Sequence, residues 1–238
     1  MTLPGSDEKL HSEQRSEFHS EHMYEEEAFS HSKLALSEKS AVQSLCLRAI
    51  QWAFRKGHQN LFEGAGKRAV DVGCAYGYVT SLLSQFKYDS VGLDISKYAL
   101  KTGEKVDRMR ANAEDLPFKS GAIDVITCFD TFEHLSRPTL LLKESHRCLR
   151  QGGVLIIENP VANPIDVISD KLHKMGKIHC SLLPLGEFLS SVRKAGFQTI
   201  RRGLLPIPFQ RFPVFGRFIE LPVPVSVARR ILILAIKS

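Results

Sequence analysis

Residues 70–80 read VDVGCAYGYVT: an acid between two valines, two glycines four apart at Gly73 and Gly77, and then the start of a run with helical spacing. A short β-run that turns sharply on glycine into a helix is the opening of a β-α unit, and it predicts a parallel sheet. Working outward, the same rhythm repeats. RAVDVGC, DSVGLDI, DRMRANA, AIDVITCFD and GGVLIIENP are short runs, most of them rich in Val and Ile, separated by the helical patterns YVTSLLSQF, SKYALKTGEK and RPTLLLKESHRCLR. LGEFLSSVRKA then reads as a helix stopped by Gly196, FQTIRRG as a sixth strand and RRILILAIK as a seventh. The expected architecture is α/β, with crossover helices on both faces of a mostly parallel sheet.

In such a sheet ligands bind beyond the carboxyl ends of the strands, which is where the glycine turn stands. Gly73 and Gly77 let the chain turn tightly and bring backbone amides and a helix N-terminus against a ligand. A dinucleotide fingerprint needs GxGxxG, but Ala75 occupies its second glycine position, and Asp71, two before Gly73, would repel a pyrophosphate. The P-loop fails as well, because no GKS or GKT follows. An acid here suits an ammonium group, so the spacing points to an amino acid joined to a nucleoside. Asp94, ending the second strand in GLDIS, stands where a carboxylate accepts ribose hydroxyls, and Asn112 in ANAEDLPF can meet an adenine amine, with Ala113 and Glu114 along its rim. Taken singly, Asp94 also reads as a helix cap and Asn112 as a turn former.

The chain has 238 residues, 43% hydrophobic and 24% charged, the composition of a folded globular protein with a full core. MTLPGSDEKL opens without a basic segment and an apolar run, and no apolar stretch approaches the roughly 18 residues of a membrane span. A cytoplasmic location is expected, with peripheral membrane contact left open. Five cysteines without a CxxC pair read as reduced thiols, mostly buried.

Residues 1–36 form a polar arm, acidic and carrying His11, His19, His22 and His31, and residues 37–238 the folded domain. In that domain Val42, Leu45, Cys46, Ala49, Ala53 and Phe54 recur at helical spacing, Ser40 to Gln43 matches a capping box, and Gly57 supplies a stop. Residues 161–183 lack clear periodicity. LLPIPFQRFPVFGRFIELPVPVSV, within 204–228, interleaves prolines with Phe209, Phe212, Phe215 and Phe218, predicting an irregular excursion whose aromatics need cover. The formal charge of +6 hides a basic C-terminal quarter, which reads as a solvated face beside the alternative of an anionic partner.

Together VDVGCAYGYVT, GLDIS, ANAEDLPFKSGAIDVITCFDTFEHL and HRCLRQGGVLIIENP resemble the class I S-adenosylmethionine-dependent methyltransferases, close to their ubiquinone/menaquinone-type (type 11) branch. The resemblance runs from about Ala69 to Pro160. It implies a Rossmann-like three-layer α/β/α sandwich on a seven-stranded, mostly parallel sheet with an antiparallel last strand. It also implies that Asp71, Gly73, Cys74 and Gly77 line the methionine part of S-adenosylmethionine, Asp94 and Ile95 its ribose, and Asn112, Ala113 and Glu114 its adenine. Phe129, ending the fourth strand, would stand beside the reaction centre. Ala75 and Tyr76 depart from the glycine and small residue of many relatives, so the tyrosine ring must point away from the cofactor or cap it.

Methyl transfer rests mostly on holding the acceptor in line, and a base is needed only for a hydroxyl or phenol. Asp130, Glu133, His134, Glu158 and His179 are candidates; His134 is the first choice, with His179 beside it. Asp130, Glu133 and His134, with His179, also resemble the ExxEH set of metal-dependent methyltransferases, although EH occurs in relatives without metal, and no metal ligand is assigned. A small or lipid-like acceptor fits the 161–183 and 204–228 segments as acceptor-side insertions. An RNA methyltransferase is the alternative suggested by the basic C-terminal quarter, but nucleic acid is not favoured without a recognisable RNA-binding module. A non-catalytic cofactor-binding subunit is the third reading.

Overall fold

The computed structural model describes residues 35–57, 60–161, 181–203, 210–214, 217–221 and 230–238. Most of the polar arm, His179, and much of both expected insertions lie outside the described residues. The first strand β1 (Arg68–Val72) leads through the glycine turn to helix α2 (Tyr78–Gln85), preceded by helix α1 (Ala35–Gly57). Then come β2 (Asp89–Asp94), α3 (Lys97–Thr102), β3 (Arg108–Arg110) and β4 (Ile123–Phe129). A 3-10 turn (Phe132–His134), α4 (Pro138–Cys148) and β5 (Leu149–Pro160) follow. The chain closes with α5 (Leu185–Lys194), β6 (Thr199–Gly203), β7 (Gln210–Val214), β8 (Arg217–Leu221) and β9 (Arg230–Ile236).

Seven strands form one sheet in the order β3-β2-β1-β4-β5-β9-β6. β1 to β5 pair in parallel, and β9, the last strand in the chain, runs antiparallel between β5 and β6. This is the expected sandwich sheet. Its order reverses between β1 and β4, so the crevice of the fold opens where β1 ends in VDVG.

Alternation along the strands divides the core into two layers. Val70, Val72, Ile126, Cys128, Leu155 and Ile157 pack with Leu141 and Leu142 of α4 and Phe188 and Val192 of α5. Ala69, Val125, Val154 and Ile156 pack on the opposite face with Cys46, Ala49, Ile50 and Ala53 of α1 and Val79, Leu82 and Leu83 of α2. Burial on both faces is why these strands read as continuous apolar runs. Cys46, Cys74, Cys128 and Cys148 are free and buried. No helix among the described residues is long and apolar enough to cross a membrane.

Three local expectations are corrected. Ser40 and Gln43 are no capping box, because α1 already begins at Ala35 and both lie inside it. DRMRANA contributes only the three residues of β3 at the sheet edge. The proline-rich excursion contains a separate two-stranded ribbon, β7 against β8, with Pro213 paired to Phe218. In a two-stranded ribbon each strand has an unpaired side, and a proline can sit there without breaking a ladder.

Candidate functional site

The site is built on the turn between β1 and α2. Gly73, Ala75 and Gly77 have φ of 74°, 42° and 81°, a left-handed path that costs an L side chain energy and costs glycine none. Gly73 and Cys74 donate their N–H groups to the Leu93 carbonyl at 2.8 and 2.9 Å, seating the turn on β2. A Cβ on Gly73 would run into Thr131, whose hydroxyl donates to the Phe129 carbonyl at 2.9 Å. One on Gly77 would lie 2.9 Å from Cδ of Arg108. Gly73 is therefore required by close approach as well as by conformation, and Gly77 chiefly by its positive φ.

Asp94, at the end of β2, closes the turn from the side. Its Oδ2 accepts the Ala75 N–H at 2.7 Å and its Oδ1 the Ser96 N–H at 2.8 Å, so it serves the turn and the start of α3 together. A carboxylate oxygen accepts more than one hydrogen bond, so both can still receive ligand hydroxyls. Burial raises its pKa, and these amides and Arg108 pull it back. Ile95, beside it, is half-buried, and its carbonyl accepts from Arg110 Nε at 3.1 Å.

Asp71 lies under the turn, 2% exposed. Its Oδ1 accepts the Thr127 hydroxyl at 2.8 Å and its Oδ2 the Thr80 hydroxyl at 3.0 Å. Burial pushes its carboxyl up to about 7 against the lowering effect of those hydroxyls. The acid thus fastens β1 to β4 and α2. Cys74 is buried with Sγ turned toward β2, where a Cβ on Gly92 would lie 2.7 Å from it, and burial raises its thiol pKa. What Cys74 offers the crevice is backbone. The Tyr76 ring is half-buried, 5.9 Å from that of Tyr78.

The adenine-side residues line the β3–β4 connection. Asn112 Oδ1 accepts the Glu114 N–H at 2.9 Å, a tight local turn, and Ala113 packs against the core. Glu114 binds Arg137 with both carboxylate oxygens, the backbone N–H at 2.6 Å and Nε at 2.9 Å. That pair ties the connection to the start of α4. Asn112 is thus the turn former its type suggests, whereas the cap of α3 is Ser96, whose hydroxyl accepts the Ala99 N–H at 3.2 Å, and Asp94 binds the backbone of that cap instead of being it.

Phe129 ends β4 opposite Glu158 of β5 and packs with the α1-side core. Beyond it Asp130 is exposed with φ 48°, Glu133 is 1% exposed, and His134 lies half-buried with Nε2 3.8 Å from Glu133 Oε1. The shared helical face expected for Asp130, Glu133 and His134 does not form, because only a 3-10 turn starts, at Phe132, and Asp130 stays outside it. Among the described residues no three His, Cys, Asp or Glu side chains gather as a metal site. His179 lies outside the described residues, but Ser181 is bonded to this turn, donating its N–H to the Glu133 carbonyl at 2.9 Å and its hydroxyl to that of Leu135 at 2.7 Å.

Sequence reasoning missed Thr80, Thr127, Thr131, Arg108 and Arg137. Thr127 carried a signal, a hydroxyl within the buried run Val125–Cys128 of β4; the others carried none.

Residues 70–157 match a family described as "Methyltransferase domain". The chain is 29% identical over 109 residues to a ubiquinone biosynthesis O-methyltransferase of Dechloromonas aromatica, covering 42% of this chain and 47% of that one. It is 27% identical over 138 residues to a probable S-adenosylmethionine-dependent methyltransferase of Mycolicibacterium smegmatis, covering 56% and 53%. The matches span about half the length of these curated relatives. In fold, it is similar to a SAM-dependent methyltransferase of Archaeoglobus fulgidus (TM-score 0.65, 17% identity, 87% of this chain and 100% of that one). It is also similar to a Haloferax volcanii complex of a methyltransferase with the Trm112 methyltransferase activator (TM-score 0.66, 16% identity, 88% and 96%).

Proposed function

We propose that this chain, whose residues 70–157 match a methyltransferase domain family, is a class I S-adenosylmethionine-dependent methyltransferase that transfers a methyl group to a small or lipid-like acceptor from the crevice at the end of β1. The observation that carries this reading is the turn itself: two glycines at positive φ, with the Ala75 amide bound to the Asp94 carboxylate at the point where the strand order reverses. That donor set fits S-adenosylmethionine, the cofactor implied by family and fold, because an acid and a left-handed amide turn suit an amino acid, and a second acid suits a ribose. When bound, this cofactor supplies an electrophilic methyl group on a sulfonium.

The backbone of Gly73, Cys74 and Gly77 borders the methionine end, and the acid Asp71, buried beneath the turn on the Thr80 and Thr127 hydroxyls, braces it from below. Asp94 and Ile95 take the ribose, and Asn112, Ala113 and Glu114 border the adenine. Phe129 stands beside the reaction centre, and His134, carried on a turn at the end of β4, accepts the acceptor's proton at its imidazole. His179 is a second candidate for that role. The relatives named ubiquinone biosynthesis O-methyltransferases favour a phenol-type hydroxyl as the methylated group. The proposed domain starts with α1 at Ala35, two residues before the expected boundary at 37, and the segments 161–183 and 204–228, read from the sequence as acceptor-side insertions, lie mostly outside the described residues.

Calorimetry with S-adenosylhomocysteine tests the cofactor site: Asp94→Ala should weaken binding at least tenfold and keep the native circular dichroism, whereas unchanged affinity sinks the ribose assignment. Labelled S-adenosylmethionine incubated with cell extract, followed by mass spectrometry of the labelled product, identifies the acceptor. Label entering RNA instead of a small molecule would overturn the acceptor class.

A further inference from the structure

Ala75 is the one residue of the turn that adopts a left-handed φ, 42°, without being glycine. Both peptide groups flanking it are held. Its N–H is bound by Asp94 Oδ2 at 2.7 Å, and its carbonyl accepts Nη1 of Arg108 at 3.3 Å. Arg108 reaches the turn from the first position of β3, 33 residues away in sequence. Its Nη1 also donates to the Ala99 carbonyl of α3 at 3.0 Å, and its Nη2 to the Glu104 carbonyl at 2.7 Å. One guanidinium therefore joins three segments: the turn, α3 and the α3–β3 connection. The last is bonded to the turn a second time, since Glu104 donates its N–H to the Tyr76 carbonyl at 2.7 Å.

The arrangement leaves Nε of Arg108 buried without an acceptor among the described residues, a destabilising feature for the side chain by itself. The fork is aimed at the carbonyls. Because a trans peptide sets its C=O and N–H on opposite sides, holding the Ala75 carbonyl toward Arg108 directs the Tyr76 N–H the other way. Asp94 on one side and Arg108 on the other thus set both dihedrals of a residue whose side chain disfavours them.

We propose that Arg108 is a positioning residue for cofactor binding, clamping the Ala75 carbonyl so that an alanine can hold the left-handed geometry of the ligand cradle. The proposal rests on the cofactor reading given above. It predicts coupling between two positions: the clamp matters because residue 75 is not glycine, which takes positive φ without cost. A residue that merely stabilised the fold would show no such dependence.

The test is a double-mutant cycle on the full chain, reading S-adenosylhomocysteine affinity by calorimetry for wild type, Ala75→Gly, Arg108→Met and the pair. Arg108→Met should weaken binding about tenfold in the wild-type background and less than about threefold in the Ala75→Gly background. Arg108→Lys, which keeps the charge and loses the planar fork, should fall between wild type and Arg108→Met. Should Arg108→Met fail to show native circular dichroism, Arg108→Lys runs through the same cycle. Equal losses in both backgrounds, or no loss, overturn the positioning role. A wild-type chain giving no binding heat sinks the cofactor reading and this proposal with it, whereas a binding wild type with background-independent losses sinks this proposal alone.

Discussion

Ala75 and Asp71 show how the site is built against local preference. A left-handed conformation costs an alanine about 1–2 kcal/mol, while glycine there adds about 0.5–1 kcal/mol of unfolded-chain entropy to be lost. The first effect is larger, so Ala75→Gly should raise stability, by up to about 1 kcal/mol in urea denaturation; a decrease would contradict the strained φ. Asp71 carries a pH signature. Its carboxyl goes from an ordinary 3.8 to about 7 in the fold, chiefly by burial, so the folded state holds this proton more tightly than the unfolded chain. The cost of burying the charge is absent below about pH 4, grows as pH rises, and is complete above about pH 7. Asp71→Asn in the ligand-free protein should therefore gain on wild type by on the order of 3–4 kcal/mol between pH 4 and pH 8. A stability difference that stays flat with pH would refute this. That an acid precedes the glycines was legible; that two threonines from β4 and α2 would occupy both its oxygens was not, since Thr80 and Thr127 meet it only through sheet and helix packing.

Among the elements, α1 illustrates which contacts hold the site together. Among the described residues it touches the turn region through Lys39 Nζ to Glu104 at 2.8 Å and Gln43 Nε2 to the Tyr78 carbonyl at 3.2 Å. The ion pair is 40% and 25% exposed, where such pairs contribute under about 1 kcal/mol. Its buried face is a different matter, with Ile50 1% exposed against the sheet. Ile50→Ala should cost about 2–4 kcal/mol and Lys39→Ala less than 1, both by thermal denaturation. The reverse order would show that the charge, not the apolar face, docks α1. The spacing of Cys46, Ala49 and Ala53 made that face readable, whereas the helix start at Ala35 lies before the periodic run that begins at Ser37. The β7–β8 ribbon was illegible because proline statistics describe strands inside sheets, and an isolated pair escapes them.

For the whole molecule, the sheet predicts a gradient of local stability. β4, β5 and β9 are paired on both sides and buried, while β3 is three residues long at an edge. Native-state hydrogen exchange should release amides of β4, β5 and β9 only with global unfolding and those of β3 earlier. Equal protection in β3 would mean that the Arg108 clamp stiffens the edge beyond what its pairing supplies. The sequence by itself determined the α/β alternation, the glycine turn and the acids at the ends of β1 and β2. Each is a matter of local dihedrals, of side-chain period, or of a few residues adjacent in the chain. Only the tertiary structure decided what those residues bind: the hydroxyls on Asp71, the clamp of Arg108 on Ala75, the pairing of Glu114 with Arg137, and the inward turn of Glu133 away from Asp130. These contacts join segments brought together by packing of the sheet and its helices, or depend on which way a turn winds, and no periodicity along one segment encodes them.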